Sequence, residues 1–156
     1  MGVDAVVIVE NSRNRTLEEF KALLLQDEEL GRLLWDPFEI STGELASQFQ
    51  PWEAFEWEGK KYFSWIASPR AFYLNLYKEE GEEPTPIQIT FFRCMLLVEQ
   101  AAGGPIYVGN DVVYHHTPFD FPEEPFWLPG ELDALWPNWR EIARIPLAPD
   151  ELCLIF

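Results

Sequence analysis

The chain has 156 residues, 47% of them hydrophobic and 15% aromatic, and carries 27 Asp and Glu against 11 Lys and Arg for a net charge of −16. Apolar content of that order offsets the ordering entropy that a merely acidic chain could not, which excludes intrinsic disorder, and the length suits a single domain over residues 1–156. The negative field repels phosphate backbones and anionic membrane surfaces, so it argues against nucleic acid and membrane as partners and favours a basic protein.

In chain order, the stretch from Val3 to Val9 is apolar on both alternate sets, Val3, Ala5, Val7, Val9 and Val6, Ile8, which predicts a strand covered on both faces in the middle of a sheet. Asn11 to Arg15 is a polar turn. Thr16 with Glu19 three residues on forms a capping box that opens a helix striped by Leu17, Phe20 and Leu24. Asp27 would interrupt that stripe, so the helix should end near Gln26, with Asp27 capping a second turn that carries Leu30, Leu33 and Leu34. A long connection from Trp35 to Pro51 follows. Ala54 to Trp57 and Tyr62 to Ile66 flank Glu58-Gly59-Lys60 as a tight hairpin, and Ala71 to Tyr77 alternates as a third antiparallel strand before an acidic loop at Lys78 to Pro84.

The strongest helix signal is Thr85 to Ala102, with Thr85 as cap, Pro86 at the first position, Gln88 closing the box and Gly103-Gly104 as the stop. Its apolar residues spread beyond one stripe, so something besides the sheet must cover it. Ile106 to Val108 and Val112 to Tyr114 are expected to pair about a turn at Gly109-Asn110-Asp111. Thr117 to Pro129 interleaves four prolines with Phe119, Phe121, Phe126 and Trp127, the composition of an extended wrapping segment. A short helix in Leu132 to Arg140, broken at Pro137, and late strands at Ile142 to Leu147 and Leu152 to Phe156 complete the expectation.

The fold class predicted is α+β, with a mainly antiparallel sheet, two main helices and a ferredoxin-like βαββαβ core over 3–114, followed by a Pro- and aromatic-rich wrapping segment over 115–156. In that sandwich the helices leave one sheet face open, yet Val6 and Ile8 want cover there, which the wrapping segment or a second copy in a homodimer would supply. Cys94 sits in an apolar helix pattern and Cys153 in an apolar terminal run, so both are expected to be unpaired thiols. The first ten residues lack a basic leader region and no apolar run reaches the roughly 18 residues of a membrane span, so a cytoplasmic location is expected.

No motif specifies a reaction or a cofactor, and none is expected. His115 and His116 are the only histidines, and adjacent positions on a strand point apart, so a metal site there, completed by Asp111, Asp120, Glu123 or Glu124, is the alternative rather than the leading reading. The serines lie outside any G-x-S-x-G context. Between Arg93 and Arg140 there is no Lys or Arg, while Glu99, Asp111, Asp120, Glu123, Glu124, Glu131 and Asp133 all fall in that window. Trp127, Trp136, Trp139 and Arg140 add the side chains that dominate binding hot spots, weighed against a core role for the tryptophans.

In size, acidity and mixed α+β composition the chain resembles the bacterial immunity proteins that neutralise basic toxins, a likeness of class carried by no residue motif. The resemblance implies a small acidic protein-binding domain without catalysis. The competing readings are a hydrolytic or metal-assisted enzyme around His115 and His116, and a nucleic-acid mimic with regularly spaced carboxylates.

Overall fold

A computed structural model describes residues 5–35, 51–65, 83–110 and 130–152. In chain order these contain β1 (Ala5–Glu10), α1 (Leu17–Leu25), α2 (Glu28–Trp35), β2 (Trp52–Trp57), β3 (Lys60–Trp65), α3 (Pro86–Ala102), β4 (Ile106–Asn110), β5 (Gly130–Glu131), the single turns α4 (Leu132–Leu135) and α5 (Trp139–Ile142), and a 3-10 turn at Pro149–Glu151. The fold is α+β. Its sheet runs β2-β3-β1-β4-β5 with every pair antiparallel, and the connections from β1 to β2 and from β3 to β4 each carry helix and skip a neighbouring strand.

β1 is central, as its two-sided apolar pattern demands. Val7 and Val9 face the helices and join the core, while Ile8 alternates to the opposite face and is equally without solvent exposure. Ser64 and Tyr62, on the same face as Ile8, are buried too, so the shielding of that face comes from within the chain. The hairpin between β2 and β3 turns on Glu58 and Gly59, both at positive φ (50° and 79°), the pair of left-handed residues that matches the twist of the flanking strands.

Both capping boxes form. Thr16 accepts from the Glu19 amide while the Glu19 carboxylate accepts from the Thr16 amide, and Thr85 and Gln88 repeat the arrangement at α3. Asp27 caps α2 by accepting from the Leu30 amide at 2.9 Å. α3 ends at Gly103, whose φ of 90° supplies the left-handed cap.

α3 is buried nearly all round. One side meets α1, α2 and β1, and the other is covered by residues 132–147, where Trp136 and Trp139 lie against Phe92 with ring centroids 5.4 and 6.2 Å away. Across the sheet, Trp52 stacks on Trp65 at 5.5 Å and Phe20 on Phe63 at 4.2 Å, and the Trp52 indole donates to the Leu34 carbonyl at 3.0 Å. Aromatic pairs of this kind contribute about 0.5–1.5 kcal/mol each beyond their buried area.

Two expectations are corrected. Gly109 and Asn110 are not a turn but the last residues of β4, paired with Val6 and Ala5. Residues 142–147 are not a strand: Trp139–Ile142 is a helical turn, and the backbone beyond it is fastened by Arg93, which donates to the carbonyls of Ala143 at 2.9 Å and Ile145 at 2.6 Å. A guanidinium from α3 thus takes the acceptors that a sheet neighbour would have used. The expected strands at Ala71 to Tyr77, Val112 to Tyr114 and Leu152 to Phe156, and Cys153, lie wholly or mainly outside the described residues; Cys94 is a free thiol. Among the described residues no helix is long and apolar enough to cross a membrane.

Candidate functional site

The C-terminal part of the predicted surface is built on three short elements. Trp139 opens α5 and is fully buried, its indole donating to Asp133 Oδ1 at 2.7 Å. Arg140 follows it and lies over the Trp139 ring, 4.5 Å from the centroid. Its Nη1 donates to Asp133 Oδ1 at 2.8 Å, its Nη2 to Glu99 Oε2, and its Nε to Glu99 Oε1 at 3.3 Å, a fork that ties α5 to α3. Trp139 therefore takes the core role of the two open to it, and Arg140 is neutralised by its own chain, so neither is an unengaged anchor. Trp136 is half-buried against Phe92.

Asp133 is held below the ordinary carboxylate range, first by the Trp139 indole hydrogen bond and then by the Arg140 guanidinium, against the opposing effect of partial burial. A depressed native pKa means that the unfolded chain takes up the proton first. The stabilisation is complete above the unfolded value near ~4 and is lost as pH falls through the native value. Asp133→Asn is therefore expected to destabilise at neutral pH, with the difference from the natural chain shrinking as pH falls below the unfolded value, as read by urea unfolding at neutral and acid pH.

Asp111, His115, His116, Asp120, Glu123, Glu124 and Trp127 lie outside the described residues. Among the described residues, no group of three His, Cys, Asp or Glu is placed to hold a metal ion. Cys94 is a poor nucleophile, since complete burial, reinforced by the charge of Asp27, pushes its thiol far above the usual range.

A cleft of about 440 Å³ opens where the β1–α1 turn meets the β2–β3 hairpin. Its polar rim is Asn14, Arg15, Thr16, Glu56 and Lys61, and Leu17 and Ala54 supply apolar wall. Arg15 is rigidly presented. Asn11 accepts from its amide and donates to its carbonyl, and its Nε donates to the Ala101 carbonyl at 2.9 Å. Lys61 reaches across to Asn14 Oδ1 at 2.8 Å, with Asn14 at a φ of 53°. Sequence reading passed over these residues, although four of the 11 cations, Arg13, Arg15, Lys60 and Lys61, occupy these two loops. Comparison with known proteins finds no matching family model, curated protein or solved structure.

Proposed function

We propose that the chain is a small, non-catalytic protein-binding domain of the immunity type, whose acidic surface engages and neutralises a more basic protein. The observation that carries this reading is the division of its charges. Several cations turn onto the protein's own groups: Arg93 onto backbone carbonyls, Arg140 onto Glu99 and Asp133, Lys60 onto Glu10 and Lys21 over the Trp35 ring. Carboxylates such as Glu18, Glu28, Glu29, Glu141 and Asp150 face solvent. These pairings leave the net charge of −16 unchanged, and although Arg13, Arg32, Lys61 and Arg144 are also exposed, the excess of carboxylates gives an outward field that suits steering of a cationic surface.

The contact is centred on Asp111 to Arg140, with Trp127 and Trp136 as apolar anchors within an acidic rim that includes Asp120, Glu123 and Glu124. The same reading takes β1 to β4 with their helices as a ferredoxin-like core and places the domain in the cytoplasm. Affinity capture on the immobilised chain at ~0.05 M salt is expected to retain a protein of net positive charge that the Glu123→Lys/Glu124→Lys chain retains at least about tenfold less well. Retention of nothing, or of partners indifferent to that double reversal, would leave the acidity with a solubilising role alone.

A further inference from the structure

We propose that the cleft between the β1–α1 turn and the β2–β3 hairpin binds a small organic anion, a carboxylate or phosphate ester carried on a compact apolar body. This site is independent of the acidic protein-binding surface, and it holds hydrogen-bond donors that the chain itself leaves unused. The Arg15 guanidinium has only its Nε engaged, on Ala101, so its Nη groups keep four N–H donors. Lys61 has one of its donors on Asn14 Oδ1, and both residues line the cleft. The Thr16 hydroxyl already accepts from Glu19 and retains its own proton to donate. Glu56, opposite Lys61 in the strand register, lines the same cleft. Two cations and two neutral donors stand against Glu56 in the rim and Glu19 at the Thr16 cap, whose charge also acts on Arg15, so charge is balanced while N–H and O–H donors remain in excess for an anionic acceptor.

The volume selects among anions. A space of about 440 Å³ falls within the range of about 300–1,000 Å³ typical of small-molecule sites and exceeds what a bare ion fills, while Leu17 and Ala54 offer wall to an apolar body. The overall charge of −16 works against any free anion at long range, so affinity rests on contact with Arg15, which the Asn11 and Ala101 bonds hold in place before the ligand arrives.

The test is a nuclear magnetic resonance titration of the 15N-labelled full chain with phenyl phosphate, benzoate, inorganic phosphate and phenol. Phenyl phosphate or benzoate is expected to shift the amides of Asn14, Arg15, Thr16 and Lys61 and the Arg15 Nε–H in a saturable way, and whichever saturates at lower concentration identifies the anion class. Lys61→Gln, an exposed change that leaves the core alone, should weaken binding about fivefold, and Glu56→Gln should tighten it about threefold. Arg15→Gln should weaken it further, but it also removes the Ala101 bond, so the decision rests on the other two variants. The proposal is overturned if neither organic anion saturates below ~20 mM, a limit set by the weakest useful affinities. It also fails if phenol shifts the same amides equally, if inorganic phosphate binds as well as phenyl phosphate, or if Lys61→Gln and Glu56→Gln leave the affinity unchanged.

Discussion

Trp139→Ala is expected to lower the free energy of unfolding by about 3–5 kcal/mol, the range for deleting a large, fully buried aromatic side chain. Trp139 is without solvent exposure, packs near Phe92, carries the Arg140 guanidinium on its ring and donates its indole hydrogen to Asp133. Removing it opens a cavity beneath α5 and leaves the Arg140 clasp without its platform. Against a total stability of about 5–15 kcal/mol for a domain, the loss is a large fraction. Urea unfolding should show a lower midpoint, and a change below ~0.5 kcal/mol is what a solvent-exposed binding anchor would give instead.

Gly31→Ala is expected to destabilise by at least about 2 kcal/mol, although glycine to alanine inside a helix ordinarily gains up to about 1 kcal/mol. The sign reverses because α2 packs against α1 at this point. A Cβ on Gly31 would lie 2.2 Å from the Leu24 carbonyl oxygen and 2.8 Å from its carbon, and those are backbone atoms with no rotamer to yield. The helices must separate, which loosens Leu24 and Leu34 in the core. Thermal unfolding measures it: a raised midpoint would show that the close approach of α1 to α2 does not constrain the fold.

Much of the architecture was legible because its signals are local. The two-sided pattern of Val7, Ile8 and Val9 marked a central strand, and both capping boxes, the Asp27 cap and the Glu58-Gly59 turn formed where their residue types require. What could not be read depends on partners distant in the chain. Ile142 to Leu147 has the apolar content of a short strand, and a window of six residues cannot distinguish that from a packed turn; the deciding group is Arg93, 50 residues earlier. Gly109-Asn110 has turn chemistry, yet pairing with β1 draws it into β4. Trp139 and Arg140 have hot-spot composition, but the carboxylates of Glu99 and Asp133 turn that pair inward. The cleft was invisible for the same reason, since Asn14 and Lys61 are 47 residues apart and only the hairpin brings them together.

The acidic surface as a steering device for a basic partner is tested most directly by association and dissociation rate constants with the captured partner, measured between ~0.05 and ~0.5 M salt. The account predicts that the association rate constant falls by about tenfold or more over this range while the dissociation rate constant changes less than about threefold, because screening acts on the long-range encounter and desolvated contacts hold the complex. An association rate indifferent to salt, with dissociation carrying the whole change in affinity, would contradict it.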